Sequence, residues 1–356
     1  MKVLITAPSL DENRNVSGIS TVVRQIIEYG QSEFVHFAAG REDREHSGAM
    51  WLIRQILLPI RFLQHIRSTA PDLVHINTAM TTRAVFRDAV LAWAARFAGK
   101  PVMVSIHGGE NLLVPFKSTF VENIAGRMLE RSELVVLLNG HESEVVLKRF
   151  PGIKPETLPN AVPTDAAMGA REENRVPVIV FLGRLHDSKG IGEILAACIM
   201  LRDRGVEFVF RAFGDGDRRD WFVEAMNRHL GDSFEYGGVV SGHEKWSALR
   251  QADIFVLPSA FEGLSMALLE AMAAGCVVVA SNIESISAVI RDGENGYLVP
   301  PQDSSKLAKI LERLLADRSD WKKVRENAVE SIRRHYSIER YIIRLESFYS
   351  EAAKGK

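Results

Sequence analysis

The chain has 356 residues, 46% of them hydrophobic and 25% charged, with a net charge of -1. This is the balance of a globular protein long enough for two domains with separate cores, and it excludes the strongly basic domain that wholesale nucleic-acid binding needs. Two cysteines, Cys198 and Cys276, are too few for a disulfide or metal framework and read as buried thiols.

The chain opens directly on an apolar run, Val3–Thr6, so no signal peptide is expected. No stretch reaches the ~18 apolar residues of a spanning helix, and the expected location is cytoplasmic. Further runs rich in Val, Ile and Leu stand at Phe34–Ala38, Leu73–Ile76, Val102–Ile106 and Leu134–Leu138. Amphipathic segments such as Thr21–Tyr29, Arg83–Ala98 and Ser118–Glu130 separate them. Repeated βα units of this kind predict a parallel, doubly wound sheet.

Three segments of this half carry candidate chemistry. In Asn15-Val-Ser-Gly18-Ile-Ser20, Gly18 would let the backbone approach a phosphate, although a plain Asn/Ser/Gly turn fits nearly as well. The three glycines of a dinucleotide fingerprint are not there. Ala49–Arg67 is apolar and basic, with Arg54, Leu58, Arg61 and His65 on one helical face and an apolar remainder that includes Trp51 and Phe62. That suits a helix lying in an anionic membrane interface, and equally a core-packed crossover helix kinked at Pro59. Ser105-Ile-His107-Gly108-Gly109-Glu110 places His107 at a strand's carboxyl end, where it either touches a ligand or is satisfied by backbone.

Pro151–Pro177, with the charged run Arg171-Glu-Glu-Asn-Arg, has the composition of a linker. A second βα series follows, with strands expected at Val178–Leu182, Phe208–Phe213, Phe234–Tyr236, Ile254–Leu257, Val277–Ala280 and Gly296–Val299. Helices are expected at Ser305–Ala316, Trp321–His335 and Ile338–Ala352.

In this half Arg184 and Lys189 lie in the loop after Val178–Leu182, at a carboxyl edge where two cations would hold a diphosphate. Asp215-Gly216-Asp217 reads as turn chemistry, with no metal implied. The run Ile254–Leu257 is followed by a loop Ser259–Gly263 and a helix expected over Leu264–Ala274. Glu262 then sits in the loop and Glu270 about two turns into the helix, a pair able to grip separated hydroxyl pairs of one elongated ligand. Gly263, Leu264 and Ser265 would offer backbone amides at the helix start.

Together these segments resemble the retaining glycosyltransferases of family four. Phe261-Glu262-Gly263-Leu264-Ser265 through Glu270 matches that family's two-glutamate signature, supported by Gly183-Arg184 with Lys189-Gly190. Asn160-Ala-Val162, Gly214-Asp-Gly216 and Asp292-Gly293-Glu-Asn295-Gly296 are similar to its further motifs. Two places depart: Glu284-Ser-Ile-Ser287-Ala288-Val lacks the double glycine and glutamate frequent there, and only Gly18 stands where two glycines are common.

The resemblance implies an α/β GT-B fold, two facing Rossmann-like doubly wound domains with an interdomain cleft. Residues 1–165 would bind the acceptor and 175–335 the nucleotide sugar, with the last helix, 336–356, packing back on the first domain. It implies a metal-independent, cofactor-free hexosyl transfer with retention from a nucleotide diphosphate sugar; the sequence leaves UDP and GDP both open, with UDP preferred. The acceptor would be a glycan or lipid-linked hydroxyl of the cell envelope, with the protein peripheral on the inner face of the membrane. Glu270 would bind ribose hydroxyls and Glu262 the donor sugar, with the base near Val239 and Ser241. Arg184 and Lys189 would neutralise the leaving diphosphate, and His107 would contact the donor sugar from the other domain. A nucleotide-sugar epimerase of similar architecture and a non-catalytic binding protein are the alternatives.

Overall fold

The computed structural model describes residues 1–12, 14–15, 17–40, 49–109, 111–164 and 174–354; of 49–55 it describes the backbone alone. Val16, Glu110 and the run Arg171–Glu173 lie outside the described residues. The chain divides into two compact units, Met1–Asn160 with Ile338–Lys356 and Ala161–Ser337.

The first unit runs β1 (Lys2–Ala7), α1 (Gly18–Tyr29), β2 (Glu33–Ala38), α2 (Ala49–Thr69), β3 (Leu73–Thr78) and α3 (Thr82–Phe97). It continues with β4 (Val102–Ile106), α4 (Thr119–Glu130), β5 (Leu134–Leu137), α5 (Gly140–Arg149) and β6 (Pro155–Thr157). All six strands are parallel, in the order β2-β1-β3-β4-β5-β6. Every residue of β3, β4 and β5 is buried, because helices cover both faces of such a sheet; the strands are mainly apolar, with His75, Asn77, Thr78 and Ser105 buried among them. β6 falls where the sequence suggests only a linker; as an edge strand it tolerates its proline.

Helix α2 packs its Leu58, Phe62 and Ile66 into the core, and the Phe62 ring stands 4.8 Å from that of Phe37. This corrects the membrane-facing assignment of Phe62: spacings of four residues put these three on one inward stripe. Leu58 likewise leaves the polar face to which its position had assigned it. The apolar side chains that do face outward are Ile56, Leu57 and Ile60, beside exposed Arg61 and Arg67. The side chains of Trp51 and Arg54 lie outside the described residues.

The second unit begins β7 (Val178–Leu182), α6 (Ile191–Asp203), β8 (Val209–Phe213), α7 (Arg219–Leu230), β9 (Phe234–Gly238) and α8 (Gly242–Gln251). Then come β10 (Ile254–Leu257), α9 (Met266–Ala273), β11 (Val277–Ser281), α10 (Glu284–Ser287), β12 (Tyr297–Val299), α11 (Ser304–Ala316) and α12 (Trp321–His335). Its six strands are parallel too, ordered β12-β11-β10-β7-β8-β9. The chain builds outward from β7 through β8 to β9, then returns to lay β10 on the other side of β7. That reversal makes the carboxyl ends of β7 and β10 the topological switch point, the place where open α/β sheets take ligands.

The chain ends in α13 (Ile338–Lys354), which belongs to the first unit and packs on α1, β3 and β4. Its Tyr349 hydroxyl lies 2.9 Å from His75 Nδ1, and the other ring nitrogen of His75 lies 2.8 Å from Ser105 Oγ. His75 is fully buried, and burial lowers its pKa to about 3.

Candidate active site

The loops leaving β7 and β10 are pressed together. Ala260 N–H donates to the Ser188 carbonyl at 2.9 Å. Gly190 has φ +72°, and a Cβ there would fall 2.1 Å from the Pro258 carbonyl oxygen, so glycine is required on both counts. Just before it, Asp187–Lys189 forms a single 3-10 turn, started by His186 Nδ1 accepting from Ser188 N–H at 3.0 Å.

This turn delivers Lys189 to Glu262. Lys189 Nζ donates to Glu262 Oε1 at 2.6 Å, and Ser259 Oγ donates to the same oxygen at 2.9 Å. The Glu262 side chain is 7% exposed and that of Lys189 26%. Ser285 Oγ holds the Glu262 carbonyl at 2.8 Å. The stretch around Glu284 that departs from the family pattern therefore anchors the site from β11's side of the sheet. Arg184, from the same loop as Lys189, is exposed and makes no side-chain hydrogen bond or ion pair among the described residues. A guanidinium left in solvent beside a buried carboxylate–ammonium pair makes this sheet edge anion-seeking.

Helix α9 starts at Met266, two residues later than the sequence suggests. Ser265 caps it, its Oγ accepting from Leu268 N–H at 3.4 Å. Gly263 and Leu264 thus belong to the loop before the cap, because a Ser with extended backbone ends the loop and starts the helix. Glu270 consequently lies little more than one turn into α9 rather than about two. It is 2% exposed, and Lys245 Nζ from α8 donates to its Oε1 at 2.6 Å. Val239, exposed, and Ser241, the residue preceding α8, lie on the connection from β9 that also leads to Lys245.

Two candidates lie in the first unit. Gly18 opens α1 behind Ser17, whose Oγ caps Ser20 N–H, and a Cβ on Gly18 would meet no atom within 4 Å. Packing therefore does not demand glycine there. His107 follows β4, its Nε2 2.7 Å from Asn77 Oδ1. Asn77 Nδ2 donates to the Thr6 carbonyl, so its Oδ1 accepts from His107 Nε2–H. The lone pair is then on Nδ1, which is buried without a partner among the described residues. Burial lowers the His107 pKa to about 4, so the ring is neutral near neutral pH.

Asp215 Oδ1 accepts from Gly216 N–H at 2.9 Å and faces Arg219 at 3.5 Å. Gly214 has φ +129°, and a Cβ would lie 1.9 Å from the Gly183 carbonyl oxygen. Among the described residues no group of three or more His, Cys, Asp or Glu side chains could hold a metal ion. The charged pairs Lys189–Glu262 and Lys245–Glu270 join different βα units, and the sequence had named only three of these four residues. Lys245, Ser285 and Asn77 carry no mark in the sequence, and Ser259 enters there only as the first residue of the loop Ser259–Gly263.

Residues 168–333 match the family described as Glycosyl transferases group 1. The chain is similar to glycogen synthase of Mycobacterium tuberculosis, 26% identical over 70% of this chain, and spans 62% of that protein's length. It is 25% identical to alpha-D-kanosaminyltransferase of Streptomyces kanamyceticus, over 85% of this chain and 83% of the relative. In three dimensions it resembles Anabaena HepE, solved in complex with UDP-glucose, with a TM-score of 0.78 at 17% identity over 98% of this chain and 99% of that one. The two Rossmann-like units are those of the GT-B fold.

Proposed function

We propose, from the match of residues 168–333 to the group 1 glycosyl transferases and from the site in the second unit, that the chain transfers a sugar from a nucleotide diphosphate donor to a hydroxyl acceptor with retention of configuration. The observation that carries this reading is the meeting of Lys189 with Glu262 at the topological switch point between β7 and β10. There a cation and a carboxylate acceptor share one sheet edge, as a ligand with both a diphosphate and a sugar requires. That HepE was solved with UDP-glucose supports a UDP-sugar as the donor.

Glu270 accepts hydrogen bonds from the ribose hydroxyls, and Glu262 accepts from hydroxyls of the donor sugar. The base rests against Val239 and Ser241, and the loop amides of Gly263, Leu264 and Ser265 meet donor oxygens. Lys189 and Arg184 stand against the diphosphate, whose negative charge grows as its bond to the anomeric carbon breaks. Fixed charges aimed at developing charge are usually the largest catalytic term. Glu262 is engaged by Lys189 and Ser259, which suits a hydroxyl-binding carboxylate better than a free nucleophile, and this supports retention without a covalent intermediate. The diphosphate is neutralised by side chains, so no metal is required. Within the first unit, His107 offers its unpartnered Nδ1 as an acceptor for a sugar hydroxyl, and Gly18 leaves open space at the start of α1. The acceptor is a lipid-linked or cell-envelope glycan, reached at an anionic membrane surface through Ile56, Leu57 and Ile60 with Arg61 and Arg67.

A thermal-shift panel of nucleotides and nucleotide sugars tests the donor site, since a bound ligand raises apparent stability by mass action. A UDP-sugar is expected to raise Tm in the wild type and much less in Glu270→Gln. An epimer formed from the donor alone, without acceptor, would replace transfer by epimerisation.

A further inference from the structure

The carboxylate of Glu270 is 2% exposed, and its Oε1 is held at 2.6 Å by Lys245 Nζ, whose side chain is 14% exposed. This is not a surface pair within one helix: Lys245 comes from α8 and Glu270 from α9, 25 residues apart, so two successive βα units are tied at one buried point. We propose that Lys245 is the positioning residue that holds Glu270 aimed for the ribose diol of the nucleotide. The inference rests on the reading of Glu270 as the ribose-binding carboxylate.

Two physical points support it. A buried ion pair is a weak source of stability, because desolvating both charges offsets most of their attraction, and apolar residues of similar volume would serve the fold as well. The pair therefore points to a use other than stability. A carboxylate fixed by a charge-assisted hydrogen bond, meanwhile, presents its remaining acceptor sites to a diol in one orientation. Lys245 supplies that hydrogen bond through one oxygen. Glu270 Oε2 and the second lone pair of Oε1 remain for the two hydroxyls.

The test compares binding of UDP and of 2′,3′-dideoxyuridine diphosphate, which lacks both hydroxyls, by titration calorimetry well below Tm. The wild type is expected to prefer UDP. In Lys245→Met, which keeps the apolar stem, that preference is expected to shrink about tenfold or more, the worth of a charge-assisted hydrogen bond, while affinity for the dideoxy compound stays near wild type. Lys245→Arg is expected to recover most of the preference. A purely architectural lysine would instead weaken both ligands alike, or neither, and either result would overturn the inference while leaving the donor site standing. A wild type that binds the two ligands equally would sink the ribose role of Glu270 itself, and this inference with it. If Lys245→Met does not fold, Lys245→Gln removes the charge, keeps a hydrogen-bond donor, and gives the same contrast.

Discussion

Lys189 Nζ stands 2.6 Å from Glu262 Oε1 at the switch point between β7 and β10, while Arg184, five residues upstream, reaches no partner among the described residues. Both cations are assigned to the leaving diphosphate, yet their structural debts differ. Arg184→Ala is expected to lower turnover by about two to three orders of magnitude, as loss of a transition-state charge partner does, with Tm unchanged. Lys189→Ala is expected to lower turnover similarly and also to lose about 1–3 kcal/mol of stability, because it leaves Glu262 with Ser259 alone. Donor-hydrolysis rates together with urea melts check both. Wild-type turnover in the double variant would remove the leaving-group role.

The sequence alone carried β4, β5, β10 and β11 well because each is buried along its whole length and reads as a mainly apolar run. It did not carry β6, where a proline and a charged residue make up most of a three-residue edge strand. The strand order was also out of reach, since hydrophobic pattern specifies a strand without specifying its neighbour. The meeting of Lys189 with Glu262 depends on that order and on the close approach at Gly190, neither of which leaves a local mark. Lys245 was silent for the same reason: a lone lysine in a polar helix resembles any solvated one until α8 is laid against α9. The start of α9 was misplaced because apolar Leu264 continues the helical pattern, whereas Ser265 interrupts it with a cap.

Chelation separates this site from metal-dependent sugar transfer. Asp215 already serves Gly216 N–H and Arg219, and Asp217 faces His186 at 4.0 Å from an exposed position. Turnover is therefore expected to be the same with and without EDTA. Loss on chelation, restored by manganese, would reassign Asp215-Gly216-Asp217 from a turn to a ligand set.

Acid stability has a defined sign. Burial lowers the pKa of His75 to about 3, below the ordinary value of 6.5 that it regains on unfolding. Between those values the unfolded chain binds a proton at this site and the folded chain does not, so stability falls as pH drops from about 6.5 toward 3. One such group contributes a slope of at most about 1.4 kcal/mol per pH unit. Carboxylates add their own slopes, so the measurement is a difference: denaturant melts of wild type and His75→Gln across this range. The variant is expected to lose stability less steeply. Parallel curves would mean that His75 is not held neutral.

The membrane contact proposed above rests on the outward side of α2. Leu58, Phe62 and Ile66 are committed to the core, which leaves Ile56, Leu57 and Ile60 to enter a headgroup region beside Arg61 and Arg67. Among the described residues no helix is long and apolar enough to cross a membrane, so any attachment through this helix is interfacial. Two arginines give about 1 kcal/mol each against anionic lipid, a term that salt screens within a Debye length. Binding is therefore expected to be weak, greater on anionic than on neutral vesicles, and reduced at high ionic strength. Ile60→Glu/Arg61→Glu changes outward-facing positions only, so folding is expected to survive and co-sedimentation with anionic vesicles to be lost. Equal recovery of wild type and variant on both vesicle types would detach α2 from any lipid surface and make a water-soluble glycan the better acceptor.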